Sequence, residues 1–135
     1  MEILATLIAV ISGAIGYLIA SFWYRPTIRY KEIRSQIMAD LVFYANAIIA
    51  EGLNEEMKLR FEKRTEVNRM RAAELAAITV ELPCWYKQFL EKRNEHPGQA
   101  HSELIGLSNT FEFEAASKRM EKIQQLLRIE PRVVI

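Results

Sequence analysis

From Ile3 to Tyr24 the chain reads ILATLIAVISGAIGYLIASFWY, 22 residues without one charged side chain. A helix of that length extends about 33 Å at 1.5 Å per residue, which matches the hydrocarbon thickness of a bilayer. Such a helix is apolar on every face and needs an apolar solvent all round it. The residues left over build too small a domain to supply one. Lipid fits.

A cleaved signal peptide has a basic leading region, an apolar core of roughly 7 to 15 residues and a small-residue cleavage site. Here Glu2 is the only charged side chain ahead of the run, which is longer and ends in the bulky Phe22, Trp23 and Tyr24. The sequence therefore predicts an uncleaved transmembrane anchor over residues 1–25 and a helical domain over residues 26–135. Trp and Tyr rings favour the headgroup boundary, so Phe22, Trp23 and Tyr24 mark the second interface. Arg25, Arg29, Lys31 and Arg34 follow at once. By the positive-inside bias that flank is cytoplasmic and the N-terminus lies outside, giving a single-pass protein of the cell membrane.

The near-neutral net charge of +1 hides this asymmetry. From Arg25 to Arg34 there are four basic residues and one acid, whereas from Ser35 onward there are 14 basic and 15 acidic residues. The bilayer is the expected partner of the basic collar, at about 1 kcal/mol per side chain near an anionic leaflet. A balanced domain lacks the counterion-release energy that drives nucleic-acid binding, and that class of partner is excluded. Within the anchor, Ser12, Gly16 and Ala20 recur every fourth position, beside a second row of Ala5, Ala9 and Gly13. Small side chains let backbones approach, so a homo-oligomer through Ser12, Gly16 and Ala20 is a further expectation.

Pro26 biases Arg25 away from helical geometry while suiting the first turn of a new helix, which predicts a kink or break there. Beyond it, Ile33, Ile37, Leu41, Tyr44 and Ile48 recur at helical spacing up to about Ala50, with Met38, Val42, Ala45 and Ile49 widening the stripe. Gly52 is a stop, and Asn54 caps a long helix from Glu55 to Leu82 with Glu55 and Glu56 in its first turn. The inner face of that helix is Met57, Phe61, Thr65, Asn68, Ala72, Leu75, Thr79 and Leu82, its charge-rich Lys58–Arg71 stretch a solvated face. Thr65 and Asn68 interrupt this stripe, and if buried they would select register or partner. Pro83 introduces a short helix in which Trp85 and Phe89 serve as core plugs, with a peripheral membrane contact as the alternative. NEHPGQA, residues 94–100, reads as a loop. Asn109 and Glu112 resemble a capping box opening a last helix from Thr110 to Ile129, with Phe113, Ala116, Met120, Ile123 and Leu127 on one side. Pro131 ends it. The fold class expected is all-α: one membrane helix followed by a small antiparallel bundle.

Chemistry-bearing residues are sparse. His96 and His101 flank a Pro-Gly pair with Glu95 and Glu103 beside them, a spacing that fits no zinc motif. The single cysteine, Cys84, begins a short helix, where a thiol can be activated. It lacks a base in the local sequence, and apolar burial is the usual fate of a lone Cys. Asp40 is the sole aspartate, and Glu74 and Glu81, seven apart on one helical face, are paired carboxylates that could converge, though solvated surface acids explain them. No phosphate loop or nucleophile elbow is present. The sequence thus predicts no enzyme, no cofactor and no metal, and instead a membrane-anchored interaction, scaffold or accessory module. Trp85, Phe89 and the Met57–Asn68 face are its candidate surfaces for a cytoplasmic protein partner. Two alternatives stand beside it: a holin-like or toxin-like membrane effector oligomerising through its anchor, and a subunit of a membrane enzyme. The layout resembles that of small bacterial proteins with one membrane helix and a helical cytoplasmic domain, a likeness of architecture that brings no site with it.

Overall fold

The computed structural model describes residues 1–45 and 54–129. Among them there is no strand, and the elements are α1 (Glu2–Ile19), a π-helical segment (Ala20–Tyr24), α2 (Arg25–Phe43), α3 (Glu55–Glu81), α4 (Cys84–Lys92), α5 (Pro97–Ser108) and α6 (Phe113–Leu126).

The break expected at Pro26 does not occur. Helical backbone is continuous from Glu2 to Phe43. A proline in mid-helix has no N–H to give and crowds the carbonyl four residues back. The π segment ends at Tyr24, two residues ahead of Pro26, and the Arg25 N–H after it bonds the carbonyl of Ala20, a spacing of five in place of four. The looser turn admits the ring without interrupting the rod. Along this rod the surroundings change. The apolar window of its first half has no buried residue, whereas Tyr30, Ile33, Ile37 and Leu41 of α2 are buried in the bundle. α2 stops at Phe43 with Tyr44 as its cap, earlier than its apolar pattern suggests. Ile48, Ile49, Ala50 and Gly52 lie outside the described residues, as do Pro131 and the tail after it.

α3 begins as its sequence dictates, the Asn54 carboxamide oxygen accepting from the Met57 N–H at 2.9 Å. Its second half packs through Val67, Asn68, Ala72, Leu75 and Ile78, and Leu82 closes it. Its first half differs from the expected stripe: Met57 is exposed, Phe61 and Thr65 are half-buried, and the buried residue is Arg64. Arg71 meets Gln36 and Asp40, and Tyr86, further on, meets Tyr30. Contacts made later in the chain thus fall nearer the start of α2.

α4 corrects another expectation. Trp85 and Phe89 are not core plugs but stand out at 52% and 42% exposure, while Tyr86 and Leu90 are buried. Two apolar rows lie side by side on this short helix, and only one can face the core. Tyr86 wins that place with its ring edge against Tyr30, centroids 6.0 Å apart. Cys84, expected to be buried, is exposed. α5 starts at Pro97, so the Pro-Gly pair opens a helix where a loop was predicted; the fixed φ of proline suits that first turn. α5 packs against both α3 and α6. The last helix starts at Phe113, later than its apolar pattern suggests, because Asn109 is already the cap of α5 and Glu112 makes no side-chain cap. Ala116, Ile123 and Leu127 are buried in the core, Met120 packs against it, and Phe113 is exposed.

Candidate functional site

The densest polar chemistry lies where α4 crosses α2, just past the apolar rod. α4 ends in a tight reversal. Asn94 adopts φ 54°, its N–H bonds the carbonyl of Glu91, and the Glu95 N–H bonds that of Leu90, both at 2.9 Å. These paired bonds with a left-handed residue between them form a Schellman turn, and Asn tolerates that conformation better than other side chains. The turn aims Glu95 inward, where it is 1% exposed. A lone buried carboxylate would cost several kcal/mol, so its partners decide whether the arrangement is tolerable. Glu95 Oε1 accepts from the Tyr30 hydroxyl at 2.5 Å and from Arg34 Nη1 at 3.1 Å. Burial, then the hydrogen bond to Glu95, holds the Tyr30 phenol well above its ordinary range and therefore neutral. Burial raises Tyr86 as well, with the charge of Glu95 adding to it.

Around this buried knot, Lys31, Arg34, Trp85, Tyr86, Phe89, Arg93 and Glu95 line an open groove of about 230 Å³. The Arg93 guanidinium lies over the Phe89 ring at 5.4 Å. Arg128, itself left-handed at φ 49°, donates to the Arg93 carbonyl at 3.0 Å and ties the end of α6 to the end of α4.

No protein-family model, curated protein or solved structure matches this chain.

The residues singled out from sequence fall as follows. Phe22, Trp23 and Tyr24 are exposed in the π segment, Arg25 and Arg29 are exposed on α2, Lys31 is exposed at the groove, and Arg34 is partly buried against Glu95. Ser12, Gly16 and Ala20 are exposed along α1 and its π extension, and a Cβ added at Gly13 or Gly16 would meet nothing. His101 Nδ1 is 2.9 Å from the Ala72 carbonyl, which makes it part of the α3–α5 packing; the His96 N–H bonds the Leu126 carbonyl. Glu103 belongs to an ion cluster with Lys122 and Arg119, and Lys122 followed by Arg119 holds its carboxyl below the usual range. Among the described residues, no three His, Cys, Asp or Glu side chains gather into a metal-ligating group.

A second cleft, of about 410 Å³, opens at the outer half of α3 between Phe61, Thr65, Arg69, Asn109 and Phe111. Phe61 and Phe111 stack at 5.6 Å, and the buried Arg64 guanidinium sits over Phe61 at 4.7 Å. Arg64 Nη2 donates to the Thr110 carbonyl at 3.1 Å, while Nε and Nη1 have no partner among the described residues. Burial lowers its pKa.

Sequence reasoning missed Tyr30, Glu95, Arg64 and Arg93. Tyr30 had a signal, since it extends the Ile33, Ile37, Leu41 row one step toward the N-terminus. Glu95 had none, because a carboxylate in a Pro-Gly segment reads as solvated. Cations and aromatic rings line both clefts, with Glu62 and Glu66 beside the second.

Proposed function

We propose that this chain is a single-span membrane protein that holds a helical bundle at the cytoplasmic face as an interaction or scaffold module. One observation carries the reading: a single helix passes without interruption from a bare apolar half to a half buried in the bundle core. An apolar helix left uncovered by its own domain is stable in hydrocarbon and costly in water, because burying apolar area is worth about 25 cal/mol per Å². The bundle cannot swing freely on such an anchor. The second half of the rod is part of its core, so the module keeps a fixed distance from the bilayer.

The basic collar supports a cytoplasmic orientation. The outer end of α3 supports a partner surface. Met57, Leu59, Phe111 and Phe113 are exposed, and Phe111 stacks on Phe61. Aromatic side chains of this kind dominate protein contacts when a partner covers them.

Full-length protein in its host membrane tests the reading. The protein stays with the membranes after alkaline carbonate washing, a tag at Ile135 is shielded from protease added to intact cells, and Phe111→Asp removes partners recovered in mild detergent. Release into the supernatant, or a tag cleaved from outside, overturns the proposal.

A further inference from the structure

The groove between α2 and α4 joins cations and exposed aromatic rings close to the aromatic belt of the anchor. Trp85 and Phe89 are half exposed, on a helix whose outer face also carries Lys92. α4 is not free to turn these rings away. Tyr86 is fixed against Tyr30, and the Glu95 knot with Tyr30 and Arg34 pins the end of the same helix. Tyr30 follows the belt residue Tyr24 by less than two helical turns, so the point of α2 on which Tyr86, the chain neighbour of Trp85, packs lies about 9 Å beyond the belt along the rod. Headgroups occupy roughly 5 to 7 Å on each side of the hydrocarbon, and a tilt of about 20° is ordinary for a membrane helix. A modest lean toward α4 seats the rings among the headgroups.

Charge agrees with this placement. Lys31 and Arg93 line the groove and Lys92 shares the outer face of α4 with Trp85 and Phe89, whereas Lys87 donates to the Val80 carbonyl. The acids nearby are Glu95, buried and paired with Arg34, and the exposed Glu32 and Glu91. Free cations therefore outnumber free acids on a surface within about one Debye length of the headgroups.

We propose that the Lys31–Trp85–Phe89–Arg93 groove is a second membrane contact, which inserts Trp85 and Phe89 at headgroup depth and takes anionic phospholipid headgroups on its cations. The proposal rests on the membrane reading above and adds to it a defined lipid class and a fixed orientation of the bundle. An indole at the interface keeps its N–H wet and its ring dry, and each basic residue near an anionic surface adds to the attraction.

The chain has only two tryptophans, Trp23 and Trp85, which makes the test direct. Full-length Trp23→Phe protein, reconstituted in phosphatidylcholine vesicles with or without phosphatidylglycerol, reports Trp85 alone; Trp85→Phe protein reports Trp23 alone. Emission from Trp85 is expected to shift to the blue and to be quenched by a nitroxide on the lipid headgroup but not by one deep in the acyl chain, more strongly with phosphatidylglycerol. Lys31→Glu with Arg93→Glu removes the phosphatidylglycerol dependence. If Trp23 is quenched by labelled lipids while Trp85 ignores every label, the anchor stands and this inference is wrong. If neither tryptophan responds, the membrane reading fails and takes the inference with it.

Discussion

Tyr30 and Glu95 stand 65 positions apart in the chain and share a buried hydrogen bond in which the phenol donates to the carboxylate. That bond joins α2 to the reversal after α4, and Arg34 supplies the compensating charge from the next turn of α2. Removing one partner of a buried polar pair leaves the other desolvated, at about 1 to 3 kcal/mol. Tyr30→Phe is accordingly expected to lose that much stability in denaturant titrations of the full-length chain in detergent, while Tyr86→Phe, whose hydroxyl makes no such bond to Glu95, loses less.

The same bond sets an alkaline limit. The folded pKa of Tyr30 lies above its ordinary value of 10.0, so folding favours the neutral phenol. That contribution is complete below about pH 10 and is lost as pH rises through the folded value. Stability of the wild-type chain should fall above pH 10 with a component that Tyr30→Phe lacks. Equal alkaline slopes for the two proteins would contradict it.

Asn94 tests the reversal itself. At φ 54° a β-branched residue is strained by about 1 to 2 kcal/mol, whereas glycine is at ease. Asn94→Gly should match or slightly exceed the wild-type stability, and Asn94→Val should lose about 1 to 2 kcal/mol and weaken the Tyr30–Glu95 contact. Thermal unfolding followed by circular dichroism separates the two variants.

Arg64 tests how a charge is tolerated in a core position. Its guanidinium is 2% exposed, with one carbonyl acceptor and one aromatic face among the described residues. Apolar side chains of similar volume often replace buried charges at no loss or with a gain of about 1 to 4 kcal/mol, because the desolvation cost disappears. Arg64→Met should therefore be neutral or stabilising in urea titrations, while Arg64→Ala should destabilise by leaving Phe61 and Phe111 unsupported. A large loss in the methionine variant would mean that the charge is needed where it lies.

Much of this architecture is written in local patterns. The apolar run, the Ile33–Ile37–Leu41 row, the Asn54 cap and the extent of α3 follow from periodicity and capping alone, since each depends on residues within a turn or two. What escaped depends on choices between equivalent local options. Pro97 suits a turn and a helix start equally, and the Leu126 carbonyl waiting for the His96 N–H belongs to a distant helix. Trp85–Phe89 and Tyr86–Leu90 are rows of similar apolarity, and Tyr30, remote in sequence, selects between them. Glu95 and Arg64 carry charges that composition assigns to solvent, and tertiary partners overrule that assignment. The groove residues come from two stretches some fifty residues apart, 31–34 and 85–95, so no local motif could announce them.

Gly16 tests whether α1 also self-associates. Ser12, Gly16 and Ala20 form a row of small side chains on a helix that buries no residue against the rest of the described residues, and a Cβ at Gly16 would meet nothing among them. If two copies pack through this row, their backbones approach closely and a leucine there forces them apart. If the row is only composition, a leucine facing lipid is harmless. Gly16→Leu leaves the bundle untouched in either case, because no residue of α1 is buried. Cross-linking of the full-length chain in vesicles at several lipid-to-protein ratios should therefore show dimers in the wild type and monomers in Gly16→Leu, and the same samples loaded with a trapped dye report whether association breaches the bilayer. Dimers without leakage keep the scaffold reading; leakage abolished by Gly16→Leu would replace it with a membrane-active one.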